Sequence, residues 1–138
     1  MKVIGIQIDK TKAIFYVVDK DGYDAIKSLK DDCKYLVLKN DTDNAEVRKY
    51  QSDVHLYFND INPDRIAILS RQTKGRFRSA PLSFKIEGLI QCYEEIDIEF
   101  VSGPKMNAFY KKNDFDLPLE FDYQEAAAKV AYYIASQE

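Results

Sequence analysis

The residues that could do chemistry fall into two groups of opposite charge. Arg71, Lys74, Arg76 and Arg78 lie within eight positions, interleaved with Gly75 and Phe77 and with no acid before Glu87. Guanidinium and ammonium groups on a glycine-loosened loop neutralise phosphates, and a ring among them can stack a base. The acidic group is Asp9, Asp122 and Glu125, scattered in sequence but each beside a turn or helix start. Carboxylate oxygens suit hard Mg²⁺, which activates water and stabilises a leaving oxygen at phosphorus. The single histidine, His55, stands mid-helix with no nucleophile pattern beside it and reads as a partly buried structural residue. Cys33 and Cys92 form no CxxC pair, so neither zinc nor a redox motif is indicated, and Cys92 reads as a small buried hydrophobe.

The chain that must position these groups has 138 residues, which fits a single domain over 1–138. A formal net charge of −3 makes the basic cluster a local feature and argues against a generally basic nucleic-acid-binding domain. Ten tyrosines and eight phenylalanines without tryptophan predict a core of single-ring aromatics. No apolar run reaches membrane-spanning length, and the N-terminal apolar stretch is too short for a signal peptide. The expectation is a cytoplasmic protein with reduced thiols and no membrane partner.

Residues 2–8 and 13–19 are apolar and β-branched, and the short "DKTK" between them predicts an antiparallel hairpin. Gly22 is placed to take positive φ in the next turn. Residues 34–40 read as a third strand. The period then becomes helical through Val47, Tyr50, Val54, Tyr57 and Phe58, with Asp43 and Glu46 spaced as a capping box. "NPD" at 62–64 ends that helix, and residues 65–70 form a fourth strand. Pro81 suits the first turn of a helix with Leu82, Ile86, Leu89, Ile90 and Tyr93 on its apolar face. Gly88 inside it costs about 1 kcal/mol against Ala, which suggests close approach of another element. Residues 97–102 give a fifth strand, followed by a short helix capped by Ser102 with Pro104 early. A final helix carries Ala126, Val130, Tyr133 and Ile134, with Asp122 and Glu125 spaced as a second capping box.

The order is β-β-β-α-β-α-β-α-α: three antiparallel strands, then parallel crossovers with helices on both faces of a five-stranded mixed sheet. That is an α/β chain of RNase H-like order. Nucleases of this fold gather carboxylates around Mg²⁺ from the middle of strand one, the end of strand four and the start of the last helix. Those places hold Gln7, Ser70 and Glu125 here. Gln7 offers an oxygen but no charge, and Ser70 is neutral. Asp9 shares a strand face with Gln7, two residues and roughly 6–7 Å further on. Asp9 and Glu125 are therefore the candidate metal ligands, with Asp122 as a further carboxylate, and Mg²⁺ is the cofactor the pattern admits.

"TKGRF" (73–77) and "SFKIEGLIQ" (83–91), with "VIGIQID" at the start and "YQEAAAKVAYYIA" at the end, resemble a bacterial RNase H-like family of unknown function, related in layout to the RuvC Holliday-junction resolvases. The resemblance implies an acid at position 7 and a Glu at position 70, both replaced here, and a last-helix acid matched by Glu125. It also implies a homodimer formed through helix 82–93. The expected function is a non-catalytic RNase H-like domain with a degenerate metal site, binding nucleic acid or an acidic partner through loop 71–78. Two alternatives stand beside it: a Mg²⁺-dependent nuclease with an altered site of Asp9, Glu125 and Asp122, and a protein-interaction module that binds no nucleic acid.

Overall fold

The computed structural model describes residues 1–30, 33–70 and 81–137. Its strands are β1 (Lys2–Asp9), β2 (Lys12–Lys20), β3 (Ile26–Ser28), β4 (Tyr35–Val37), β5 (Arg65–Leu69) and β6 (Ile98–Val101). Its helices are α1 (Asn44–Ile61), α2 (Pro81–Gln91), α3 (Gly103–Lys112) and α4 (Glu125–Ser136), the last preceded by a 3₁₀ turn at Asp122–Gln124. The strands form one mixed sheet in the order β3-β2-β1-β5-β6, with β4 also on β2. β1 pairs antiparallel with β2 and parallel with β5, and β5 pairs parallel with β6.

The sheet has six strands where five were expected. The extra one is β3, three residues in "AIKSLK" that are too short to show an alternating pattern. It occupies one part of the outer edge of β2, pairing Val18 with Ser28, while β4 occupies another, pairing Ile14 with Tyr35. The expected strand at 34–40 is β4, reduced to 35–37. β2, with nine residues, is long enough to hold both short pieces.

Alternation along β1 and β2 divides the interior between the two faces. Ile4, Ile6, Phe15, Val17, Ile66 and Ile68 face α1 and α2, where Tyr50, Val54, Phe58, Ile86 and Ile90 complete one core. Val3, Ile14, Tyr16, Val18 and Ala67 face α4, against Ala127, Ala128, Val130, Ala131 and Ile134. Each fully buried aliphatic side chain contributes about 1.5–3 kcal/mol, so both layers matter to stability. The second layer is built of small residues because α4 lies very close to β1. A Cβ on Gly5 would stand 2.1 Å from the Ala127 carbonyl oxygen and 2.6 Å from the Ala131 nitrogen.

The helix ends follow short-range chemistry, with some exchanges of partner. The Asp43 carboxylate caps α1 by accepting from the Ala45 N–H at 3.0 Å, but Glu46 accepts from the Asn40 N–H instead of closing a box with Asp43. Asn62 ends α1 in the left-handed region at φ 54°. Ser102 caps α3 as expected, accepting from the Lys105 N–H at 3.3 Å. Before α4 the expected Asp122–Glu125 box is replaced by Gln124, whose buried Oε1 accepts from the Glu120 and Phe121 N–H groups, both at 3.0 Å. In the β2–β3 turn the left-handed residue is Asp24, at φ 64°, rather than Gly22. The Asp21 carboxylate fixes this turn by accepting from Tyr23 and Ala25.

Candidate functional site

β1 delivers Gln7 and then Asp9 on the face that α4 covers. Across the β1–β2 ladder Gln7 stands opposite Ile14 and Asp9 opposite Lys12. The contact at Gly5 brings the first turn of α4 over the end of β1. The result is a cavity of about 410 Å³ whose wall includes Gln7, Asp9, Asp122, Tyr123, Glu125 and Lys129. The sequence-derived positions 7 and 125 meet there, and Asp9 and Asp122 join them.

Ser70 does not line that wall. β5 ends at Leu69, and the Ser70 N–H donates to the Val101 carbonyl at 2.8 Å. The β1–β5 register pairs Gly5 with Ala67 and Ile6 with Ile68. One further step sets Leu69 beside Gln7, and alternation turns Ser70 toward the other face. Leu69 packs into the α4 layer, in keeping with this register.

Charge at the site is compensated from within the chain. The Lys129 ammonium lies 3.0 Å from Glu125 Oε1, one helical turn along α4. It also lies 5.4 Å from the Tyr110 ring centroid and 5.9 Å from that of Phe115. The Tyr110 hydroxyl donates to the Lys129 carbonyl at 2.6 Å, tying α3 to α4 at this point. An exposed i,i+4 pair adds only about 0.3–0.5 kcal/mol. Its importance is chemical: the carboxylate best placed for a cation already has one. Lys129 was missed by sequence reading, although its spacing from Glu125 was visible.

Among the described residues no three His, Cys, Asp or Glu side chains are grouped so that they could hold a metal ion. On the cavity wall Gln7 brings an oxygen without charge, and Lys129 is paired with Glu125. Asp9 sits at the mouth of the hairpin turn, followed by Lys10 at φ 56°. The Ser83 hydroxyl donates to the Lys10 carbonyl at 3.3 Å, which joins α2 to this turn.

Arg71, Lys74, Arg76, Phe77 and Arg78 lie outside the described residues. The described residues resume at Pro81, the first residue of α2. His55 has the structural role expected of it: its Nε2 is 3.0 Å from the Leu89 carbonyl and its ring packs edge-on to Tyr93 at 5.4 Å, joining α1 to α2. The expected burial of Cys92 is reversed, and for Gly88 the expected close element is not found within the described chain. Cys92 is exposed, because it follows the end of α2 on its outer side. Gly88 has no atom within 4 Å of an added Cβ, so it admits no close neighbour from within the described chain.

An aromatic group adjoins the cavity. Tyr123 packs edge-on to Tyr35 at 5.8 Å and parallel to Phe121 at 5.3 Å, and the Lys12 ammonium lies 4.9 Å and 5.1 Å from the Tyr35 and Tyr123 centroids. Lost hydration, and then neighbouring Tyr35, push the Tyr123 hydroxyl above its ordinary pKa.

The mixed sheet with this helix order is an RNase H-like fold of the kind seen in Holliday-junction resolvases. Thermus thermophilus RuvC superposes with a TM-score of 0.65 at 13% identity, over 95% of this chain and 91% of that one. The same protein in complex with a Holliday junction substrate gives 0.68 at 14% identity, over 99% and 95%. The yeast mitochondrial Holliday junction resolvase Ydc2 gives 0.60 at 10% identity, over 97% and 75%. Residues 1–134 match the family model described as "Protein of unknown function (DUF3010)", and the chain belongs to that family. No curated protein matches it significantly.

Proposed function

We propose that this chain is a single RNase H-like domain over 1–138 that has given up metal-dependent cleavage and binds nucleic acid through the basic loop 71–78. The observation that carries the loss of cleavage is the cavity itself: it holds an amide at Gln7 and an ammonium, Lys129, paired with Glu125 at 3.0 Å. The binding half rests on Arg71, Lys74, Arg76 and Arg78, and on the fold shared with a resolvase that forms a complex with a Holliday junction substrate. An acidic protein partner would satisfy the same cations and is separated by the test below.

A dimer through α2 belongs to this reading. Phe84, Gly88 and Cys92 recur at four-residue spacing, and all three are exposed. An exposed ring next to a position without a side chain suits a second copy of the same helix crossing it.

One observation favours the nuclease alternative: Asp9, Asp122 and Glu125 share one cavity wall. Thermal melting with millimolar Mg²⁺ or Mn²⁺ separates the readings, because a ligand bound only by the folded state raises Tm. The expected result is no shift, no cleavage of a labelled four-way junction, and junction binding that weakens steeply with salt. Replacing Arg71, Lys74, Arg76 and Arg78 together by Ala is expected to abolish that binding with Tm unchanged. A metal-induced rise in Tm accompanied by cleavage would establish the nuclease. Absence of nucleic-acid binding at every salt concentration would leave the protein-interaction module.

A further inference from the structure

We propose that Phe121, Tyr123, Tyr35 and Lys12 form a preorganised shelf for one unpaired nucleobase beside the cavity; this rests on the nucleic-acid reading above and deepens it. The shelf is assembled from three separate parts of the chain. Gln7, Ile14 and Tyr35 form one row across β1, β2 and β4, and Asp9, Lys12 and Val37 form the next on the same face. Tyr123 belongs both to the cavity wall and to this aromatic group, so the shelf continues the cavity outward.

Its geometry suits a flat neutral ligand. The Phe121 ring lies nearly parallel to Tyr123, at 11° and 5.3 Å, as the outer layer of a two-ring stack. Phe121 is 46% exposed and Tyr35 43% exposed. A base placed on the outer face of Phe121 becomes the third layer. Every base has a π-face, so such stacking tolerates sequence. The Lys12 ammonium already lies against the Tyr35 and Tyr123 rings. Asp122 and Glu125 flank the shelf, so the docking part of a strand is its uncharged base and not its phosphate.

Single exposed aromatics on a surface require no explanation. Here two of them, 86 positions apart, converge on one tyrosine. The backbone under Phe121 is also fixed in advance. Its N–H and that of Glu120 both donate to Gln124 Oε1, a side chain only 5% exposed. Fixing a ring before the ligand arrives lowers the ordering cost of binding.

The test is fluorescence anisotropy at low salt with a labelled oligothymidylate and a labelled blunt duplex. Wild type is expected to bind the single strand more tightly than the duplex. Phe121→Leu is expected to weaken single-strand binding by about fivefold to a hundredfold, the range for stacking one base on an aromatic side chain. Tyr35→Leu, which removes the edge-on support of Tyr123, is expected to weaken it by about threefold or more, roughly half a stacking contact. Duplex binding should stay within twofold, and Phe121→Trp should restore the single strand. The two Leu variants alter different elements, so a folding defect in one, seen as a lowered Tm, leaves the other to decide. If both keep wild-type affinity for the single strand, the shelf is wrong and loop binding stands. If wild type binds neither probe, the nucleic-acid reading fails and the shelf with it.

Discussion

Gly5 shows how one absent side chain sets the site. A methyl group there would stand 2.1 Å from the Ala127 carbonyl and 2.9 Å from the Ala131 Cβ, so α4 could not keep its distance from β1. The obstruction is mainly backbone, which cannot rotate aside. Overpacking usually costs about 1–3 kcal/mol, and Gly5→Ala is expected at or above the top of that range in urea denaturation. A loss under 1 kcal/mol would show that α4 shifts freely. The same residue scale shows what sequence could reveal about the site. That Gln7 and Glu125 line one cavity was legible because strand position and helix start are fixed by local pattern. The Lys129 pair was legible as an i,i+4 spacing but had no evident purpose until α4 was docked. Ser70 lies one residue past the end of β5, and composition does not encode the register step that decides which face such a residue takes.

Buried tyrosine hydroxyls join the elements together. Tyr50 donates to the Leu36 carbonyl at 3.2 Å and holds α1 to β4, while Tyr110 links α3 to α4. Burial raises both hydroxyl pKa values well above the ordinary tyrosine value. Below about pH 10, folded and unfolded chains both keep these protons and the stability is intact. Above it the unfolded chain releases them first, so stability falls as pH rises toward the folded-state values. Urea midpoints are expected to hold up to about pH 10 and to decline above it, and Tyr50→Phe or Tyr110→Phe should make the decline shallower. An unchanged slope in both variants would remove these groups as its source. Among the elements themselves, β1, β2, β5, β6, α1, α2 and α4 were legible from their apolar pattern, and α3 from its Ser102 cap and early Pro104. β3 was not, since three residues held by pairing along β2 leave no periodic trace. The second capping box failed for a related reason: Asp122 and Glu125 had the right spacing, but Gln124 was the side chain turned toward the orphan N–H groups.

At the scale of the whole molecule, the sheet separates two interiors of different texture. One is built of aromatic and branched side chains under α1 and α2, the other of alanines under α4. The proposed base shelf lies on the alanine side, and the proposed dimer helix on the other, so the two would not compete for surface. Gly88→Glu tests the second proposal. The position opens into free space, so the folded monomer is expected to tolerate the change, with Tm nearly unaltered. Across a two-fold axis, however, the two new carboxylates would face each other. Sedimentation velocity is expected to report a wild-type dimer and a monomeric variant. A monomer in both cases would remove α2 as an interface.

The divided outer border of β2 has a different consequence. A long unpaired strand edge is a template on which further chains can add, and short edge strands are one way proteins blunt it. Here that border is covered by two three-residue pieces, β3 and β4, with a cavity of about 580 Å³ walled by Phe15, Leu29 and Leu119 between them. An incoming strand would find no straight run of free amides long enough to zip onto. The interruption that hid β3 from the sequence pattern thereby leaves this border of the sheet without one long template for strand addition.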